Sequence, residues 1–151
     1  MSFWDSLKIG SSALTAQRLR LDVIANNVAN AETTHTADGG PYRRQDVVFT
    51  PQGQSLFLPA LARALHDPQA APTLAAGGVQ VAQIVTDETE GPRVHDPSHP
   101  DADKEGYVTY PNVNLVTEMT NMLSATRSYE AALAAIESAK RMALRALEIG
   151  R

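Results

Sequence analysis

The sequence predicts a mainly α-helical protein with a small β insertion, in which helices at the two ends of the chain pair as an antiparallel coiled coil. Three observations favour this class. Residues 112–151 contain no proline and a single glycine, residues 1–31 repeat apolar side chains seven positions apart, and the intervening residues 32–111 alternate turn residues with short β-type runs. These three segments are the predicted organisation of the 151-residue chain.

The first segment predicts an amphipathic helix with a narrow apolar stripe, strongest over residues 13–29. The stripe consists of Leu7, Leu14, Leu21, Ile24 and Val28. Gly10 and the two serines after it suggest a break or a weak start near that point.

Three asparagines, Asn26, Asn27 and Asn30, lie close together where this helix is expected to end. Asparagine tolerates left-handed backbone and competes for backbone hydrogen bonds, so helix termination is one interpretation. An ordered subunit contact through the side-chain amides is the equal alternative, and both can hold.

The middle segment predicts strands at residues 42–50, 78–86 and 106–110, with a short extended piece at 93–95. Prolines and glycines separate them. Residues 51–77 are rich in Ala, Pro, Gln and Gly, and we expect a flexible insertion there, with at most a short helical turn at 56–66.

The last segment predicts one long helix, capped at its start by Asn112 or Asn114. Two heptad lines run along it, the second interrupted by Thr126 and Lys140. The first line is Leu115, Met122, Tyr129, Ile136 and Ala143, and the second includes Met119, Leu133 and Leu147. Such a helix would be about 50 Å long, longer than a compact domain of this mass, so we expect it to project and to need a partner.

Composition excludes several classes of function. Thirteen basic and seventeen acidic residues, without a Lys/Arg run, do not form a nucleic-acid footprint. The absence of cysteine excludes disulfides and thiolate metal sites. No apolar run is long enough to span a membrane, and direct lipid binding is not expected. The N-terminus lacks a cleavable secretory signal, which predicts either a cytoplasmic protein or export by a route that leaves the N-terminus intact.

No arrangement of residues predicts catalysis, a cofactor or a metal. The best metal-like cluster is formed by His95, Asp96, His99, Asp101 and Asp103. Its spacing matches no zinc motif and two prolines already shape the loop, so we predict no metal there. Motifs for a nucleophile or a phosphate cradle are absent, and an enzyme is not expected. For Arg43 and Arg44 a solvated strand end is favoured over pairing with an acidic partner.

The run SSALTAQRLRLDVIANNVANAET at residues 11–33 resembles the signature of the bacterial flagellar axial proteins, which comprise rod, hook and hook-associated subunits. The signature has the form S-x-L-x-A, then D-x-x-A-N-N-x-A-N. Its positions are occupied here by Ser12, Leu14, Ala16, Asp22, Ala25, Asn26, Asn27, Ala29 and Asn30. Residues 39–49, 95–119 and 128–151 further resemble the proximal rod type, whereas residues 51–77 depart from it.

The resemblance implies a structural subunit of the proximal rod of the flagellar basal body. Such subunits assemble with themselves and other rod proteins into a helical tube that encloses the export channel and transmits torque, with the terminal helices lining the tube and ordering on assembly. It also implies export through the flagellar type III apparatus into the periplasmic rod without signal cleavage. Phe3 and Leu7 match a short export-gate element, although the helix stripe explains them equally well. The alternative is a non-polymerising cytoplasmic coiled-coil adaptor.

Overall fold

The computed structural model describes residues 3–37, 39–52 and 77–149. This part of the chain has long helices near both ends and short strands between them, which confirms the mainly helical class with a small β insertion. The elements are α1 (Phe3–Ala29), β1 (Gln45–Pro51), β2 (Val79–Thr86), β3 (Arg93–His95), β4 (Tyr107–Thr109) and α2 (Leu115–Ile149). The helical turn suggested at 56–66 and most of the insertion predicted at 51–77 lie outside the described residues.

Helix α1 continues through Gly10, so the break suggested there is wrong. The hydroxyls of Ser11 and Ser12 donate to the carbonyl oxygens of Lys8 and Ile9, at 3.0 and 2.7 Å, and therefore do not compete with the helix. A Cβ atom on Gly10 would lie 2.5 Å from Cγ1 of Ile136. The glycine thus marks a close approach between side chain and helix backbone.

At the end of α1, one of the three asparagine side chains, that of Asn30, bonds to the last helical turn, as the helix-termination interpretation expects. The backbone N–H and the side-chain amide of Asn30 both donate to the carbonyl oxygen of Asn26, at 3.1 and 2.9 Å. These bonds satisfy a carbonyl that the last helical turn would otherwise leave without a partner.

Helix α2 begins with a side-chain cap from Asn114. Its Oδ1 accepts a hydrogen bond from the backbone N–H of Thr117 at 3.0 Å, as an N-cap residue does. The other candidate, Asn112, instead accepts from the backbone N–H of Arg44 at 3.1 Å and holds the loop after β4 against the loop before β1. Neither described helix has an apolar stretch long enough to cross a membrane.

The described strands form two two-stranded sheets, one of β1 with β2 and one of β3 with β4. The second sheet is antiparallel, with Val94 opposite Val108. β1 begins three residues later than predicted, because the segment from Tyr42 to Arg44 is bound elsewhere: the N–H of Tyr42 donates to Thr33 and that of Arg44 to Asn112.

The chain divides into two compact units. Unit 1 comprises Met1–Ala16, Phe49–Val81 and Tyr129–Arg151, and unit 2 comprises Gln17–Val48 and Ala82–Ser128. Each helix therefore contributes one part to each unit. In unit 1 the N–H of Val79 donates to Oγ of Ser12 at 3.1 Å and links the start of β2 to α1. Among the described residues, most of the buried apolar side chains lie in unit 2: Val23, Ile24, Val47, Val108 and Ala125.

We predict that Gly91→Ala destabilises unit 2 strongly. A Cβ at this position would overlap the carbonyl oxygen of Tyr110 and lie 2.7 and 2.9 Å from backbone atoms of Pro111 and Asn112, which no side-chain rotation can relieve. The expected loss in free energy of unfolding is at least about 2 kcal/mol, measured by urea unfolding.

Gly39→Ala is the matched control for that substitution. Gly39 has a φ of 86° but nothing within 4 Å of a Cβ, so only left-handed strain of about 1 kcal/mol is expected. Equal losses for the two variants would contradict the steric explanation.

Candidate functional site

The side chain of Asn27, buried near the end of α1, is the most extensively hydrogen-bonded group of the described residues. Its Nδ2 donates to the carbonyl oxygen of Gln45 at 2.7 Å and to Oε2 of Glu118 at 3.0 Å. Its Oδ1 accepts from the hydroxyl of Tyr42 and from the backbone N–H of Gln45, both at 2.9 Å. An amide has two donor hydrogens and two acceptor lone pairs, so its full capacity is used.

Glu118, in the first turn of α2, is a buried carboxylate with only 1% of its surface exposed. Besides the bond from Asn27, its Oε1 accepts from Nε of Arg44 at 2.9 Å and from Nδ2 of Asn121 at 3.4 Å. A buried charge is tolerated only when it is paired and hydrogen-bonded, and this carboxylate is both.

Arg44 supplies the compensating positive charge. Its guanidinium also lies 3.4 Å from Oδ2 of Asp46, and its carbonyl oxygen accepts from the N–H of Asp87 at 2.8 Å. Burial alone would lower the pKa of Arg44. The hydrogen bond to Glu118 and the negative charges of Glu118 and Asp46 outweigh burial, so the pKa of Arg44 is raised. The favoured expectation of a solvated strand end is therefore wrong for Arg44, because its side chain turns back onto α2, while Arg43 is exposed.

These five residues form one network, which we call the polar hub: Asn27, Tyr42, Arg44, Gln45 and Glu118. It lies wholly within unit 2 and joins the end of α1, the segment leading into β1 and the start of α2. The described groups of the hub bond to one another. What it does is hold three segments in one arrangement.

The signature asparagines thus have different roles. Asn27 turns inward to the hub, and Asn30 is half-buried. The remaining signature residues at this end of α1 are exposed: Asp22, Ala25, Asn26 and Ala29. Because residues three, four and seven apart share one face of a helix, these four form an outward face. A contact between subunits through the asparagines stays a prediction.

The predicted apolar stripes occupy different environments. Along α1, Ile24 is buried, and the half-buried residues of the stripe are Leu7, Leu14, Leu21 and Val28. Along α2, the half-buried residues of the first line are Met122, Tyr129, Ile136 and Ala143. The exposed members of the two lines are Leu115, Met119, Leu133 and Leu147. Of the possible export-gate pair, Phe3 is exposed.

Sequence reasoning missed Glu118 and Ala125, which are the most buried residues of α2. They lie seven apart, on a line that continues through the half-buried Ala132 and Ala139. The sequence pattern that could have predicted this buried face is the line of alanines seven residues apart, which begins with the carboxylate of Glu118. A search for large apolar side chains does not find it.

The loop between β3 and β4 is organised by its own carboxylates. Oδ1 of Asp96 accepts hydrogen bonds from the backbone N–H and from the hydroxyl of Ser98. Both bonds lower the pKa of Asp96, and the bond from the hydroxyl has the larger effect. The pKa of Asp103 is lowered mainly by the hydrogen bond from the backbone N–H of Tyr107. Oδ2 of Asp103 also accepts a hydrogen bond from the guanidinium of Arg93 at 2.7 Å. Among the described residues, no group of three or more His, Asp or Glu side chains is arranged to hold a metal ion.

We predict that Asn27→Asp lowers the free energy of unfolding at pH 7 by about 2–5 kcal/mol. The change removes both amide donors and places a second carboxylate beside Glu118, which already lies 3.0 Å from the amide nitrogen. Urea unfolding followed by circular dichroism measures the loss.

Asn26→Asp is the control for that variant, because it makes the same chemical change one residue earlier, at an exposed position. We expect its effect to stay within about 0.5 kcal/mol. Similar losses for the two variants would show that the hub does not depend on the Asn27 amide.

We further predict that Tyr42 makes stability fall at alkaline pH. Burial, and then the negative charge of Glu118, raise the pKa of Tyr42 above its ordinary value of 10.0. The folded chain therefore holds this proton more tightly than the unfolded chain. The resulting stabilisation is complete below about pH 10 and is lost as the pH rises through the folded pKa.

Tyr42→Phe should show a smaller alkaline loss than the native chain in urea unfolding between about pH 9 and 11. At neutral pH it should be less stable by about 1 kcal/mol, because Asn27 loses a hydrogen bond. Tyr129→Phe, outside the hub, is the control, because it removes a phenol hydroxyl without removing a partner of Asn27. An unchanged alkaline loss in Tyr42→Phe would refute the assignment.

Comparison with known proteins connects these features to a family. The model for flagella basal body rod proteins matches residues 7–34, and the model for the C-terminal part of flagellar basal body rod FlgEFG proteins matches residues 104–149. The first matched segment contains Asn27 and the second contains Glu118.

Full-length relatives agree with both family models. The flagellar basal-body rod protein FlgC of Borreliella burgdorferi is 44% identical, over 99% of this chain and 98% of that protein. FlgC of Bacillus subtilis is 40% identical over 100% of both chains, and FlgC of Salmonella typhimurium is 39% identical over 99% of both. The chain therefore belongs to the FlgC family of flagellar basal-body rod proteins.

Proposed function

We propose that this rod subunit works as part of a helical tube in the proximal rod, with its terminal helices paired as an antiparallel coiled coil on the inner side. Membership of the FlgC family makes the chain a structural subunit of the flagellar basal body and not an enzyme. Its function is therefore carried out by packing contacts, and the question is which surfaces make them.

Two contacts support the pairing of the helices. In unit 1, Gly10 of α1 lies against Ile136 of α2, and in unit 2, Asn27 of α1 is bonded to Glu118 of α2. The residue of α1 with the higher number contacts the residue of α2 with the lower number, as an antiparallel pair requires. The absence of a side chain at Gly10 suits closely spaced helix backbones at the first of these contacts.

Exposed apolar side chains support assembly with neighbouring subunits. Met119, Leu133 and Leu147 belong to one heptad line of α2, and all three are exposed in the single chain. Water contact with such a line is unfavourable, and burial against other rod subunits, including further copies of this chain, would remove it. Ordering the ends of the helices costs about 1–2 kcal/mol per residue, which such contacts would offset on assembly.

The hub fits a role in transmitting torque. A load on packed subunits is carried by many close contacts, and rigid interiors transmit strain. The fully paired amide of Asn27 and the ion pair of Arg44 with Glu118 give α1, β1 and α2 one fixed arrangement. Unit 2 would thus move as one body within a turning driveshaft that encloses the export channel.

Export through the flagellar type III apparatus without signal cleavage, leading to the periplasmic part of the basal body, is the proposed route. The feature that supports it is the start of α1, where Phe3 is exposed and precedes Leu7 by one helical turn. We assign these two residues a role in recognition at the export gate. We propose no binding to nucleic acid or lipid, and family membership disfavours a non-polymerising cytoplasmic adaptor.

We predict that Leu133→Asp abolishes motility while export continues. Leu133 is 43% exposed, so the single chain tolerates an aspartate there, whereas an apolar contact between subunits would have to bury its charge. Swimming in soft agar and the amount of the chain in the periplasmic fraction measure the two outcomes.

Ser138→Asp is the control, since Ser138 is also exposed on α2 but belongs to neither apolar line. We expect this variant to swim normally. A motile Leu133→Asp strain with normal rods would contradict the assembly role of the line.

A further inference from the structure

Unit 2 contains a cavity of about 350 Å³ at the open end of the hairpin that β3 and β4 form. Its walls are the loop 39–43, the turn 88–91 and the strand ends at Arg93 and Thr109, and we call it the hairpin-base cavity. A sphere of this volume is about 9 Å across, so a helix with its side chains, about 10–12 Å wide, does not fit. The cavity can instead receive the corner of a turn.

The hairpin-base cavity carries charges of both signs. Arg43, Glu88 and Glu90 line it and are exposed, and within the part of the chain that the structure describes none of the three has an ion pair. Arg93 also lines the wall, but its guanidinium is bound to Asp103 at 2.7 Å. A matching occupant therefore needs a cation for the two carboxylates and an anion for Arg43.

The turn at the other end of the hairpin presents such a pair of charges, Lys104 and Glu105, which we call the hairpin tip. The turn closes through a hydrogen bond from the N–H of Gly106 to the carbonyl oxygen of Asp103 at 3.0 Å. Oδ1 of Asp103 also accepts from the N–H groups of Glu105 and Tyr107, both at 2.9 Å, so the tip is ordered before it meets a partner. Both tip residues are exposed, and neither has an ion pair among the described residues.

We propose that the hairpin tip of one copy docks into the hairpin-base cavity of a second copy. In this contact Lys104 faces Glu88 and Glu90. Glu105 faces Arg43. The inference rests on the proposed function and deepens it by naming one contact between copies of the chain.

Docking of tip to base keeps the copies pointing the same way. Because β3 and β4 are antiparallel, the tip connects them at one end and the cavity opens at the other. A contact between these two ends repeats from copy to copy with one polarity. It is also heterologous, so it need not close into a symmetric pair, and copies in a helical tube require both properties.

Charge distinguishes the hairpin tip from the acidic turn at residues 87–90. That turn of a neighbouring copy would bring further carboxylates against Glu88 and Glu90, which is unfavourable. The hairpin tip instead places an opposite charge beside each charge of the cavity. Exposed ion pairs are individually weak, so this contact forms where other interactions already hold the copies together.

Carbodiimide cross-linking of isolated basal bodies tests the contact on the native chain. The reagent activates a carboxylate, and an amine within ion-pair distance then displaces the activating group and forms an amide bond. We expect a dimer on a denaturing gel, in which mass spectrometry finds Lys104 joined to Glu88 or Glu90. Lys104→Arg is the matched control, because it keeps the charge but its guanidinium forms no such amide, and the dimer should disappear.

Each other outcome overturns the proposal. A link from Lys104 to another rod protein identifies a different occupant, and a link to Glu88 or Glu90 found only in monomers shows that the tip contacts its own chain. Normal basal bodies without the dimer reject this contact but leave the rod function standing. Chains that never enter basal bodies reject the rod function and this contact together.

A double-mutant cycle provides the second test. Arg43→Gln and Glu105→Gln should each lower the yield of the Lys104 dimer about two- to fivefold, because each removes the same ion pair. The double variant should fall no further than the lower of the two single variants, whereas independent effects would multiply and would reject this pairing. Arg18→Gln, exposed on α1 in unit 2 and outside the cavity, is the control and should leave the yield unchanged.

Discussion

The bond between the Asn27 amide and the buried Glu118 carboxylate is the interaction on which unit 2 depends. A carboxylate removed from water destabilises a fold unless donors surround it, and here Arg44 and Asn27 supply them. The same amide also satisfies the backbone of Gln45 at the start of β1. One neutral side chain therefore connects a helix end, a strand and an ion pair, and loss of any partner leaves the others buried without compensation.

The two helices divide their surfaces between internal and external use. The residues buried along their lengths are often small, such as Ala16 and Ala125, while large side chains such as Met119 and Leu147 remain exposed. Small residues allow a close approach but bury little apolar area, so a single chain gains limited stabilisation from it. The apolar side chains that remain exposed on the single chain are available for contacts with other subunits, as the function of a rod subunit requires.

Local patterns predicted the elements well, because helix periodicity, capping and β-branched runs act over a few residues. The asparagine cap on α2 and the strand β1, which ends at Pro51, are examples. The hub could not be predicted in this way, since Asn27 and Glu118 are 91 positions apart in the sequence. A carboxylate on an amphipathic helix also ordinarily indicates a solvent-exposed position. The suggested break at Gly10 failed for a related reason: the glycine is required by Ile136, a residue far along the chain.

The full use of the Asn27 amide limits which residue can stand at this position during evolution. Aspartate lacks the two donors, glutamine places its amide about one methylene further out, and leucine offers no polar atom. The adjacent Asn26 contributes its carbonyl oxygen, which every residue has, so the fold of a single chain does not require its side chain. Asparagine at the first position of the signature pair would therefore be required by a contact outside the chain, and asparagine at the second by the fold itself.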